Sequence, residues 1–189
     1  KRIPNKNIKD LAGKPLITYT IEAARASKLL DRVVLSTDSP DIAQVAQREG
    51  CDVPFLRPAE LGGDDITDFP VVQHVLAWLK EHESYVPDIV VQLRPTSPLR
   101  TAQHIDDAIS LLAAHPDVDS VRTVAEPEQS PYKMYRVDSE GLLQPLLVIP
   151  DIPESFNLPG KLLPKAYKHV GYVDAVWRKT IEEKGQMTG

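Results

Sequence analysis

The chain has 189 residues, enough to bury one substantial core, and its hydrophobic (42%) and charged (26%) fractions are those of an ordinary globular domain. A formal net charge of −5 argues against a nucleic-acid backbone as partner and leaves the basic clusters to address small anions. The single cysteine, Cys51, excludes an internal disulfide and suits a reducing cytoplasm, and no apolar run reaches the length of a membrane span or follows a signal-peptide pattern.

The first fifteen residues, KRIPNKNIKDLAGKP, set five cations (Lys1, Arg2, Lys6, Lys9, Lys14) against one acid, Asp10, and read as an extended basic loop. Such a loop either wraps polyphosphate with ammonium and backbone N–H groups or is a solvated basic terminus. Pro15 opens a helix through Ala26, with Leu16, Tyr19, Ile21, Ala23 and Ala24 as its apolar contacts. Arg32 to Ser36 follows as a short buried strand, then polar Thr37, Asp38 and Ser39, where Asp38 is a ribose or metal contact or simply a helix-capping or loop acid. Asp41 to Gly50 is a helix with Ile42, Val45 and Ala46 inward and Gly50 as C-cap, and Asp52 to Leu56 is the next strand. This rhythm argues for βαβ units and a largely parallel sheet.

Residues 57–68, RPAELGGDDITD, form a polar loop with paired glycines and three aspartates. Phe69 to His82 is a helix whose apolar side is Val72, Val75, Leu76 and Leu79; His74 and Trp78, four apart, read as packing, and the five histidines lack zinc-site spacing. The stretch from Asp88 to Ala114 organises the chain. Ile89, Val90, Val91 and Leu93 form a strand buried on both faces, Pro95 and Pro98 end its pairing, and a helix begins at Ile105 with Ala108, Ile109 and Leu112 on the same face. Arg94, Thr96, Ser97 and Arg100 then sit at the carboxyl end of that strand, where open α/β sheets bind ligands, unless the segment is only a proline-stiffened turn.

Asp119 to Ala125 is another strand, after which the rhythm changes. Tyr132–Val137 and Leu142–Val148 form a hairpin around Asp138–Gly141, and 149–164 is proline-rich with Phe156, Leu158, Leu162 and Leu163 unpatterned. Residues 126–165 are therefore expected to be an arm that covers a partner subunit in a homodimer. Tyr167–Val176 returns as a strand and Lys179–Glu183 as a short helix, within one domain spanning 1–189. The chain starts without methionine and stops in polar sequence, so both ends read as cut.

A Walker loop, a dinucleotide glycine fingerprint and a nucleophile elbow are absent from the sequence. Three polar loops remain, 1–15, 57–68 and 94–101, all with cations and the second with acids. They suit an anionic polyphosphate ligand with a divalent metal. Residue chemistry alone stops at an α/β domain that binds a nucleotide or a sugar phosphate.

KRIPNKNIKDLAGKPLI, STDSPDIA, LRPAEL with the Asp64–Asp68 segment, and LRPTSPLR, in that order, resemble the acylneuraminate cytidylyltransferases. The likeness runs over most of the chain and is weakest between Val137 and Tyr167. It implies an α/β, Rossmann-like nucleotidyltransferase fold with a mostly parallel sheet and a dimerisation arm. It also implies a cytoplasmic homodimer that uses Mg2+, in which an acidic nine-carbon sugar attacks the α-phosphate of CTP to give a CMP-sugar and pyrophosphate. Carried over by position, Lys1 and Arg57 are catalytic, and Lys1, Asn7, Arg57, Thr67 and Asp68 hold the nucleotide. Arg94, Thr96, Ser97, Lys133 and Lys168 fall on the sugar side. Two departures stand out: Arg94 occupies a position where sialic acid enzymes carry glutamine, and HVGYVDAV replaces an asparagine–glycine pattern. The resemblance sets a first strand and glycine loop before Lys1 and paired metal aspartates after Gly189, so the metal ligands are unassigned. Another acidic sugar, or a non-catalytic binding role, are the alternatives.

Overall fold

The computed structural model describes residues 3–189, so Lys1 lies outside the described residues. They divide into two compact units: 3–123 with Gly171–Gly189, and Val124–Val170. In chain order come β1 (Asp10–Leu11), β2 (Lys14–Pro15), α1 (Leu16–Arg25), α2 (Pro40–Arg48), α3 (Asp68–Glu83), β3 (Ile89–Gln92), α4 (Ala102–Ala114) and β4 (Ser120–Ala125). There follow β5 (Tyr135–Val137), β6 (Leu143–Pro145), β7 (Lys168–Trp177) and α5 (Arg178–Lys184).

The basic amino-terminal stretch is more ordered than an extended loop. A one-turn 3-10 helix, Lys6–Ile8, precedes a minute antiparallel hairpin of β1 and β2 turning on Ala12 and Gly13, at φ 52° and 95°. Two consecutive left-handed residues are what a two-residue hairpin demands, and only the second is a glycine. Pro15 then caps α1 rather than entering it, and the buried face is Ile17, Thr18, Thr20, Ile21, Ala23 and Ala24. Ile17 and Thr20 thus take the inward places expected of Leu16 and Tyr19.

Ser39 caps α2 by accepting from the Ile42 amide at 3.4 Å. The extended segments on either side of α2 meet in parallel at one bridge, Val34 with Asp52, closed by Leu35 N–H to Asp52 O (2.8 Å) and Asp52 N–H to Val33 O (3.1 Å). The two strands expected here stop at that bridge, because Pro54 has no N–H with which to continue the ladder. Elsewhere β3, β7 and β4 form a sheet in that order, with β7 antiparallel to β3 in the register Ile89–Trp177 to Gln92–Asp174. The antiparallel return fits a strand that follows a hairpin excursion and not a crossover helix.

Side chains of β3 alternate between two cores. Ile89, Val91 and Leu93 pack with Val173 and Ala175 against Ala23 and Ala24 of α1 and Ile105, Ala108, Ile109 and Leu112 of α4. Val90 joins Val176, Leu76 and Ile181 on the side of α3 and α5. A third cluster seats α1 on α2 through Ile17, Ile21, Ala46 and the buried thiol of Cys51. The strand read as covered on both faces is so covered, and its carboxyl end opens into the loop 94–101.

In the second unit β5 and β6 pair antiparallel, Tyr135 with Pro145 and Val137 with Leu143. Asp138 Oδ1 accepts from the amides of Leu142 (2.9 Å) and Glu140 (3.0 Å), and Gly141 takes φ 85°. Those bonds, led by the Leu142 amide, hold the Asp138 carboxyl below its ordinary range. The irregular stretch beyond has its own anchor in Ser155, buried and accepting from the Ile149 amide at 2.9 Å. Phe156 is half-buried against the edge of Tyr135 and Leu163 is buried, whereas Val137, Leu142, Leu143, Val148, Leu162 and Tyr167 are among the exposed apolar groups. No helix among the described residues is long and apolar enough to cross a membrane.

Candidate functional site

Two ion pairs organise the loops that the sequence singles out in the first unit. Arg57 leaves the extended segment 53–56 with its amide donating to the Thr37 carbonyl (2.8 Å) and its Nη2 donating to Asp38 Oδ1 (2.9 Å). The loop 57–68 is thereby fastened to the loop before α2 through both backbone and side chain. Asp38 is no capping acid, since Ser39 does the capping; it holds Arg57. Gly62 lies against the same carboxylate: a Cβ there would come within 2.5 Å of Asp38 Oδ2 and 3.2 Å of the Ala59 carbonyl oxygen. The first of the paired glycines therefore makes room for the acid that orients the arginine.

The second pair is Arg94 Nη2 with Asp68 Oδ2, at 2.6 Å. Asp68 is the first residue of α3, where the helix dipole favours a carboxylate, and Thr67 is the N-cap residue with no side-chain capping bond. Arg94 follows β3 directly. A residue assigned to the nucleotide and one assigned to the sugar thus meet, both of them exposed.

Within the loop 94–101 the polar residues divide. Thr96 is exposed; Ser97 is buried and donates to the Gly171 carbonyl at 3.4 Å. Arg100, expected to face the ligand, does not. Only 4% exposed, it donates through Nε to the Tyr172 carbonyl, through Nη1 to Thr20 Oγ1 (3.0 Å) and through Nη2 to the Arg94 carbonyl (2.7 Å). Burial pushes its pKa down from 12.5 to about 10, which still leaves a cation at neutral pH. Gly171, inside β7, takes φ 66°, a left-handed conformation that glycine adopts without strain.

Asn7 lies in the one-turn helix Lys6–Ile8, half-buried, and its Oδ1 and the Nε of Arg57 are buried without hydrogen-bond partners. Lys133 closes a one-turn helix, Pro131–Lys133, and Lys168 opens β7; both belong to the second unit. Among the described residues no group of three or more His, Cys, Asp or Glu side chains could hold a metal ion. Asp38 and Asp68 are each paired with an arginine through one carboxylate oxygen. A shallow hollow of about 340 Å³ between α2 and the segment 53–56 is lined by Pro40, Ala43, Gln44, Gln47, Val53, Phe55 and Leu56, none of them a residue singled out above.

Sequence reasoning passed over Thr20 and Gly62 and left Asp38 undecided. Only the glycine pair beside an acid-rich loop carried a local signal; the hydroxyl of Thr20 is one of several on α1 and becomes distinctive through Arg100 alone.

A family model described as Cytidylyltransferase matches residues 1–139. The chain is 39% identical over 111 residues to an N-acylneuraminate cytidylyltransferase of Escherichia coli O18:K1:H7, covering 59% of this chain and 25% of that protein. It is 37% identical over 143 residues to a CMP-N,N'-diacetyllegionaminic acid synthase of Legionella pneumophila, covering 76% of this chain and 60% of that one. Among solved structures, a CMP:2-keto-3-deoxy-manno-octonic acid synthetase complexed with CTP is similar over 97% of this chain and 72% of that chain, with a TM-score of 0.67 at 19% identity. That likeness shows the fold, the α/β Rossmann-like nucleotidyltransferase fold. The chain spans between a quarter and three fifths of the length of these two curated relatives.

Proposed function

Because the chain belongs to the cytidylyltransferase family, which it matches over residues 1–139, we propose that its protein transfers CMP from CTP to an acidic nine-carbon sugar and releases pyrophosphate. The observation that carries this reading is the pair of loop arginines, Arg57 and Arg94, each aimed by one aspartate on successive loops of one unit. The sugar hydroxyl oxygen bonds to the α-phosphorus, the bridging bond to the β-phosphate breaks, and pyrophosphate leaves with the electron pair while the hydroxyl loses its proton. Two anions must meet for this to happen, and positioned cations offset their repulsion and the charge that develops in transfer. Arg57, with Asn7, Thr67, Asp68 and Lys1, takes the triphosphate side. Arg94, Thr96, Ser97, Lys133 and Lys168 take the sugar side.

We further propose that magnesium accompanies the triphosphate; chelation that leaves full activity would dismiss it. The exposed apolar groups of the second unit, Val137, Leu142, Leu143, Val148 and Leu162 among them, support a homodimer in which a second copy covers them. Light scattering of the full-length protein checks that, and a monomer at working concentration is the contrary result. The reaction is set in the cytoplasm, in keeping with the buried, reduced thiol of Cys51.

The deciding experiment is pyrophosphate release by the full-length protein over a panel of four nucleoside triphosphates and several acidic sugars. Release with CTP and a nine-carbon acid supports the reading. Preference for another nucleotide or an eight-carbon acid redirects it to another nucleotidyltransfer. Binding without release makes the protein a non-catalytic relative.

A further inference from the structure

Arg94 is fixed at both ends. Its guanidinium meets Asp68, and its carbonyl accepts from Arg100 Nη2 at 2.7 Å, with the Thr20 hydroxyl at the outer hydrogen-bonding limit of 3.5 Å. Thr20 and Arg100 are themselves joined at 3.0 Å, and Arg100 is tied to β7 through the Tyr172 carbonyl. Three elements distant in sequence, α1, α4's leading turn and β7, therefore converge beneath one peptide group. Burying a guanidinium among neutral acceptors is costly, and a packed apolar side chain in its place is often as stable. What an apolar residue does not offer is a rigid fork of donors that sets several backbone and hydroxyl groups in one register.

We propose that Thr20 and Arg100 are positioning residues for the acceptor-sugar site: together they clamp the Arg94 carbonyl and so fix where the Arg94 guanidinium meets the carboxylate of the acidic sugar. This rests on the reading of Arg94 given above. The clamp touches no substrate. It acts through Arg94, and its loss disturbs sugar recognition first, while the Arg57–Asp38 pair, which makes no contact with the clamp, stays in place and holds the nucleotide.

The test uses the full-length protein with Thr20→Val, which removes the hydroxyl and keeps the shape, and Arg100→Lys, which keeps the charge and loses the fork. Each variant is first shown to melt cooperatively. The KM for the sugar should rise about tenfold in each, with the KM for CTP changing by less than about twofold. Thr20→Val should add nothing on an Arg94→Ala background, because coupled residues do not act additively. Equal rises in both KM values, or full additivity with Arg94→Ala, would overturn the clamp. Should wild-type protein form no CMP-sugar at all, the proposed function fails, and amide hydrogen exchange then decides the clamp by itself. Thr20→Val should speed exchange across residues 94–101 and leave α2 unchanged; unaltered exchange in the loop refutes it.

Discussion

Replacing Gly62 by alanine tests whether Asp38 aims Arg57. Gly62 sits at φ −95° and ψ −2°, a conformation alanine adopts readily, so backbone strain contributes little. The cost arises from the new Cβ, 2.5 Å from Asp38 Oδ2, 3.0 Å from its Cγ and 3.2 Å from the Ala59 carbonyl oxygen. The carboxylate is the movable partner, and swinging it away breaks its 2.9 Å bond to Arg57. A half-exposed ion pair contributes about 0.2–1 kcal/mol. Overpacking costs about 1–3 kcal/mol, and a yielding side chain keeps it near the lower end. A loss of about 1–2 kcal/mol lowers the melting temperature of a chain this size by about 2–8 °C. The same swing frees Arg57, so turnover should fall about tenfold through a misplaced cation. Differential scanning calorimetry and pyrophosphate release read the two effects. The diagnostic is a double-mutant cycle: with Asp38→Ala already present, the Cβ meets no carboxylate, and Gly62→Ala should cost clearly less than in the wild type, only the contact with the Ala59 carbonyl remaining. Additive losses would mean that Gly62 serves some other purpose, and the account of how Arg57 is aimed would be wrong.

Arg57→Ala should lower turnover with CTP by about a hundredfold while the protein stays folded, since the arginine stabilises developing charge and belongs to none of the apolar core clusters; unchanged activity in the pyrophosphate assay returns it to an ordinary ion pair. Ala12→Asn, at φ 52°, should raise the melting temperature by about 1–4 °C, because asparagine tolerates the left-handed region that alanine occupies at a cost; a lower melting temperature refutes the hairpin geometry. Asp119 accepts from Lys184 Nζ at 2.7 Å and Thr180 Oγ1 at 3.0 Å, and these partners hold its carboxyl below the ordinary range. Its contribution is present above the unfolded carboxyl pKa, about 4, and is lost as pH falls through the lower folded value. Lys184→Met should therefore lose stability at pH 7 and converge with wild type in strong acid; parallel curves in pH-dependent urea unfolding would contradict this.

How much of the fold the sequence discloses depends on whether the signal is local. The run Ile89–Leu93 is apolar except for Gln92, and its apolar side chains are covered on both faces of the strand. The helix read from Asp41 starts one residue earlier, at Pro40 behind the Ser39 cap, whereas the helix read from Ile105 starts three residues earlier, at Ala102 behind Thr101, because its first turn is polar and shows no apolar period. The hairpin at 10–15 was hidden because its turn uses Ala12 at a positive φ, which no propensity favours. The segments 32–36 and 52–56 have the apolar content of strands, but their pairing ends at Val34 and Asp52. Strand direction is not local at all: β7 reverses relative to β3 because of what lies between them in the chain, not through any residue of its own.

The site divides along the same line. Charge can be read from residue type, but burial cannot, and the motif LRPTSPLR holds one arginine of each fate: Arg94 turned outward, Arg100 sealed inside. The distinction follows from what each arginine stands beside. The chain contains the triplet Leu-Arg-Pro twice, at 56–58 and 93–95, each at the end of an extended segment where the proline ends backbone pairing and the arginine leaves the sheet. In both copies an aspartate from an earlier loop takes the guanidinium: Asp38 for Arg57, Asp68 for Arg94. Arg100 precedes no proline; it stands directly before Thr101, the cap of α4, and its side chain turns back under the loop instead of out from it. Each outward arginine is thus oriented by the loop before it in the chain, and the middle loop, 57–68, both receives an aspartate at its start and supplies one at its end. That arrangement makes 57–68 the link between the two cations, so a ligand that reorders this loop acts on Arg57 and Arg94 together.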